Sequence, residues 1–167
     1  MKSIADRGLQ ADRSAREEQE YSMFQKPEIG DRGWSSFPHG ADIGVEGWGP
    51  TLAIAFEQVA LALTAAVTTA PIEPLVEIDV ACSAPDRELL LVEWLNAIIY
   101  EMAVRTMVFG RFQVQASETQ LQARLWGEAV DVKRHEPACE PKGATYTALS
   151  VTQNKNGNWL ARCVVDV

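Results

Sequence analysis

The chain is poor in the residues that build metal and redox centres: three cysteines and two histidines in 167 residues. Cys82, Cys139 and Cys163 form an odd set without a CxxC pair, and only His39 and His135 accompany them, so neither a disulfide framework nor a structural zinc site is expected. No uninterrupted apolar run reaches the roughly 18 to 20 residues that cross a bilayer. The amino-terminal stretch MKSIADRGLQADRSAREEQE lacks the apolar segment of a signal peptide. These absences predict a soluble cytoplasmic protein. Basic clusters are scarce as well: the longest run is Lys133-Arg134, against a formal net charge of -8. From Trp34 onward 16 Asp and Glu face 9 Lys and Arg, so that region alone carries a net -7. An acidic surface repels phosphate backbones, which disfavours tight direct binding of RNA or DNA. Glycine-rich phosphate loops, nucleophile elbows and HExxH helices are also missing, and nothing marks a self-sufficient enzyme.

What is present fits one domain preceded by a tail. Hydrophobic residues make up 47% of the chain, enough for a core without staples. Residues 1–33 mix both signs of charge and end in the breaker-rich PEIGDRG, which reads as a poorly ordered polar tail with room for a short helix between Leu9 and Phe24. The domain is expected over 34–167.

Within it, Trp34 to Pro38 and Ile43 to Trp48 read as short strands flanking the turn HGAD. After Gly49-Pro50, Thr51 suits the cap of a helix whose Leu52, Phe56, Val59, Leu63 and Val67 recur at helical spacing. Leu75 to Cys82 alternates as a half-buried strand. A second helix is predicted from Pro85-Asp86 to about Ala103, with Leu91, Leu95, Ile98 and Met102 as its packing stripe, widened by Leu90, Trp94 and Ile99. Beyond Thr106 the period is two: a hairpin around Ala116 to Thr119, then strands Ala144 to Gln153 and Trp159 to Val167 joined through Asn156-Gly157, a pair suited to a tight turn. This order predicts an α+β fold, a two-layer sandwich of a mostly antiparallel sheet packed against two helices.

Three groups of residues can carry chemistry. His39 and Asp42 share a glycine-rich turn, where a carboxylate can hold a hard cation or simply cap its own backbone. Asp166 and the terminal carboxylate of Val167 become an all-oxygen cation site if the last strand pairs near that turn, and a solvated acidic terminus if it does not. Arg134, His135, Glu140 and Lys142 cluster in the irregular stretch GEAVDVKRHEPACEPKG, which suits a phosphate, a partner's acidic surface or plain solvent. Cys139 beside Glu140 has no base pattern around it, so the thiols read as structural.

The set His39-Gly-Ala-Asp42-Ile-Gly44, Ala55-Phe56-Glu57, Ala60-Leu-Ala62, Leu89-Leu-Leu-Val-Glu-Trp-Leu-Asn96, Gly127-Glu128, Arg134-His135, Lys142-Gly-Ala-Thr-Tyr146 and the terminal Val-Asp166-Val resembles the archease family in order and spacing. The resemblance covers the chain from about Phe37 to Val167. It implies a small α+β protein that is not itself an enzyme. Members serve as activating cofactors of the GTP-dependent RNA ligase that joins 2′,3′-cyclic-phosphate or 3′-phosphate ends to 5′-hydroxyl ends in tRNA splicing and RNA repair. They promote ligase guanylylation and multiple turnover, and meet RNA only through the ligase. By position, Asp42, Asp166 and Val167 match the family's ligands for a divalent cation (Ca²⁺, Mg²⁺ or Mn²⁺). His39, Arg134, His135, Glu140 and Lys142 match polar positions tied to activation of the partner. Gly40, Pro141 and Gly143 depart from the family pattern, the last two around Lys142. A metal-dependent hydrolase and an RNA-binding or chaperone-like adaptor are the alternatives.

Overall fold

The turn and cap residues act where the sequence places them. In the computed structural model, which describes residues 32–167, strand β1 (Gly33–His39) folds back through Gly40-Ala41 into β2 (Asp42–Gly49). Gly40 takes φ +60, the left-handed conformation that a residue without Cβ adopts at no steric cost. The Thr51 hydroxyl accepts from the Ile54 amide at 3.1 Å and opens helix α1 (Leu52–Val67). After β3 (Val76–Ser83), the Asp86 carboxylate accepts from the Leu89 amide at 2.9 Å and opens α2 (Arg87–Arg105), which ends at Thr106 in a left-handed cap. The hairpin β4 (Met107–Ala116) and β5 (Gln120–Ala129) turns at Ser117, whose amide donates to the Gln120 carbonyl at 2.9 Å. A one-turn helix α3 (Val132–His135), β6 (Gly143–Ala144), β7 (Ser150–Gln153) and β8 (Trp159–Asp166) complete the chain. The expected polar tail and its short helix lie, through residue 31, outside the described residues.

The α+β class is the one observed, with three departures from the sequence reading. First, the strands form two antiparallel sheets: β1-β2-β8-β6, with β7 also on β8, and β3-β5-β4. Second, the expected strand from Ala144 to Gln153 is interrupted at 145–149, where Ala148 takes φ +52 and the Thr145 amide and hydroxyl both donate to the Val164 carbonyl. Third, the irregular stretch contains α3, capped by Asp131.

Helix α1 is why one sheet does not suffice. Ala55, Phe56, Gln58, Val59, Ala60, Ala62, Leu63 and Thr64 are all buried, and at helical spacing they cover more than half of its circumference, so it needs cover on two sides. On one side it lies directly on β2: a Cβ at Gly47 would stand 2.1 Å from the Val59 amide nitrogen. On the other, Thr64 donates to the Phe109 carbonyl at 2.7 Å, and Glu57 accepts from the Val114 amide at 3.0 Å, both on β4. Trp94 of α2 closes the core, donating its indole N–H to the Phe56 carbonyl at 2.9 Å and meeting Phe112 edge-on with ring centroids 6.0 Å apart.

Candidate functional site

The register of β2 and β8 creates the first cluster. Ile43 pairs with Val165 and Val45 with Cys163, and these face the core. The β2-β8 ladder ends at the Ile43–Val165 pair, and the next residues outward, Asp42 at the start of β2 and Asp166 at the end of β8, lie at the same end of the sheet and, by strand alternation, on its outer face. His39 is the partner of Asp42 across the β1-β2 turn, so His39, Asp42 and Asp166 form a row along the sheet's end. On the other edge of β8, Gly143 pairs with Asp166, and the Lys142 amide donates to the Asp166 carbonyl at 2.8 Å. Val167 follows at once. His39, Lys142 and Asp166 are exposed, Asp42 and Val167 half-buried. Asn96 of α2 steadies this edge by accepting from the Ala144 amide at 2.8 Å, a role with no signal in the local sequence.

Two carboxylates and a terminal carboxylate are hard oxygen donors, chemically suited to Ca²⁺, Mg²⁺ or Mn²⁺. Among the described residues no group of three His, Cys, Asp or Glu side chains could hold a metal ion. Val167, next to Asp166 in the chain, adds main-chain oxygen at the same end of the sheet.

Arg134 and His135 are engaged elsewhere. Glu128, at the end of β5 and 4% exposed, accepts from Arg134 Nη1 at 2.7 Å and from the Glu73 amide at 3.2 Å, and its Oε1 lies 2.8 Å from His135 Nε2. His135 Nδ1 accepts from the Asp131 amide at 2.8 Å, which assigns the imidazole proton to Nε2 and makes that nitrogen the donor to Glu128. The Arg134 guanidinium holds the Glu128 carboxyl down at about 2 against the opposing effect of desolvation, helped by His135 and the Glu73 amide, and Glu128 in turn raises Arg134. His135 is 1% exposed, so the expected contact between its imidazole and a partner gives way to an internal one. Glu140 is exposed on the segment between α3 and β6, three residues from Pro137 and two from Lys142.

Glu128 carries no local signal in the sequence that marks it as a site residue. Strand alternation puts it on the open face of β5 with Gln122 and Arg124, and it is covered only because α3 folds back over it. The thiols remain poor nucleophiles: burial pushes Cys82 and Cys163 up to about 11 and raises Cys139 too. A depression of about 590 Å³ on the outer face of β3-β5-β4, lined by Asp79, Gln113, Gln122 and Arg124 among others, lies on the sheet that does not carry Asp42 and Asp166. Among the described residues no helix is long and apolar enough to cross a membrane.

The Archease protein family (MTH1598/TM1083) matches residues 34–167. The protein archease of Pyrococcus furiosus is 38% identical over 141 residues, spanning 81% of this chain and 99% of that protein. The protein archease of Methanosarcina barkeri is 33% identical over 135 residues, spanning 77% and 92%. The solution structure of Methanobacterium thermoautotrophicum protein 1598 superposes with a TM-score of 0.71 at 26% identity, covering 81% of this chain and 99% of that one. The crystal structure of an archease from Thermotoga maritima, described as a possible chaperone, shares the fold at a TM-score of 0.53 and 16% identity, covering 80% and 96%. Matched by the family from residue 34 to its last residue, and similar to relatives along nearly their whole length, the chain belongs to the archease family.

Proposed function

We propose that this protein is an activating cofactor of a GTP-dependent RNA ligase, promoting ligase guanylylation and multiple turnover in tRNA splicing or RNA repair. Family membership supports the reading, and one observation carries the site: the β2-β8 pairing, which brings Asp42 and Asp166 to one end of the sheet next to Val167. Asp42 and Asp166 hold a divalent cation, with Val167 adding a main-chain oxygen. That cation supplies positive charge beside phosphate oxygens at the ligase active site. Lys142 and His39, exposed at the two sides of the carboxylate row, contact the ligase or its bound nucleotide, and Glu140 borders them. Arg134 acts through Glu128. RNA is reached only through the ligase, in the cytoplasm, as the acidic surface of the domain favours.

The test adds substoichiometric protein to a cognate ligase with GTP and Mn²⁺ or Mg²⁺ and counts joined ends per ligase. More than one turnover with the native chain, lost in Asp42→Ala and Asp166→Ala, is expected. A gain that survives both substitutions removes the carboxylates from the mechanism. No gain beyond prevention of ligase aggregation replaces activation with a chaperone role.

A further inference from the structure

The buried network around Glu128 sits at the start of the segment that ends beside Asp166. Within α3 and just after it, the chain is tied down repeatedly. The Asp131 carboxylate accepts from the Lys133 and Arg134 amides, both at 3.1 Å, and Thr68 donates to the His135 carbonyl at 2.5 Å. The Ala138 amide donates to the Val67 carbonyl at 2.8 Å, and the Cys139 thiol to the Ala66 carbonyl at 3.3 Å. Glu136 turns through a left-handed conformation, φ +45, so the chain changes direction immediately after His135. Seven residues beyond His135, the Lys142 amide is bonded to the Asp166 carbonyl.

We infer that Glu128, Arg134 and His135 are positioning residues whose buried network anchors the segment 136–142 on the end of α1 and thereby sets how Lys142 and β6 are presented beside Asp166. The inference rests on the proposed role of that carboxylate row, but its physical content does not. A buried carboxylate oxygen shared by three donors ties them to one another, and neutralising it weakens the charge-assisted bond from Arg134 and introduces an amide N–H2 that needs acceptors of its own. Arg134 is half-exposed and reaches Glu128 from the rim, whereas His135 reaches it from the interior. The chain leaving this anchor has few residues in which to absorb an error before Lys142.

Amide hydrogen exchange on the full chain tests this without any ligase. Glu128→Gln keeps the shape and removes the charge, and Arg134→Gln is a milder change at the exposed rim that keeps the fold if Glu128→Gln does not. Exchange at Ala138, Lys142 and Ala144 is expected to rise by about tenfold or more, while amides of α2 keep their native rates. In a ligase assay the same variants lose turnover at saturating protein, and Arg134→Lys, which retains a cation for Glu128, restores part of it. Unchanged exchange at Lys142 and Ala144 overturns the inference whatever the ligase does. Loss of activation through a raised half-saturating concentration alone, with native exchange, also overturns it and makes Arg134 a direct partner contact. Altered exchange with a ligase that ignores even the native chain sinks the activator reading and leaves the anchor standing.

Discussion

Asp42 and Asp166 are ordinary carboxylates in sequence; what distinguishes them is that each ends a strand at the same end of one sheet. Replacing either with asparagine keeps the size but removes a charge, and exchanges an acceptor oxygen for an N–H2 donor, at the proposed cation site. Each substitution is expected to weaken Ca²⁺ or Mn²⁺ binding by at least about tenfold, read by titration calorimetry, with the fold intact by circular dichroism. Glu128 behaves differently because its partners are internal. Its carboxyl is lowered from 4.5 to about 2 in the folded chain, chiefly by Arg134, so the folded state holds the charged form more firmly than the unfolded chain does. The stability this contributes is complete above pH 4.5 and is lost as pH falls toward 2. Urea midpoints across that window should fall less steeply for Glu128→Gln than for the native chain. Equal slopes would show that the network does not favour the charged carboxylate.

Among the elements, α1 and β8 carry the arrangement. Helix α1 touches β2 through Gly47, where a methyl group would meet the Val59 amide at 2.1 Å. Gly47→Ala must push helix and strand apart, and a loss of about 2 kcal/mol or more in urea unfolding is expected, as for overpacked cores. Strand β8 has β2 on one edge and both β6 and β7 on the other, so it alone connects the Asp42 turn to the Lys142 segment. Local signals predicted these elements well. Thr51 caps the first helix as its position predicts, the second helix begins at Arg87 just after the expected Pro85-Asp86 start with Asp86 as its cap, and the stripe from Leu91 to Met102 is buried as its spacing requires. The break between β6 and β7 has no local signature, because Thr145 and Thr147 satisfy backbone groups of Val164 without continuing the ladder.

For the whole molecule, the excess of acid matters most. With a net -7 after residue 33, the purified protein should not retain a labelled single-stranded RNA at physiological salt, with any binding weaker than about 10⁻⁴ M in filter or fluorescence assays. Tight, salt-sensitive binding would favour an RNA adaptor instead. The amino-acid order was enough to establish the helices, most strands, the turns and the chemical kind of each candidate donor, because periodicity and caps record which face of an element is buried and where it ends. It did not contain the partition into two sheets, the arrival of Asp42 and Asp166 at one end of the same sheet, or the burial of Glu128. Those depend on hydrogen bonds between segments far apart in the chain and on the need of α1 for apolar cover on both sides. Periodicity tells a residue to be buried or exposed; against what it lies is settled by which distant surfaces fit together without leaving a void or an unpaired polar group.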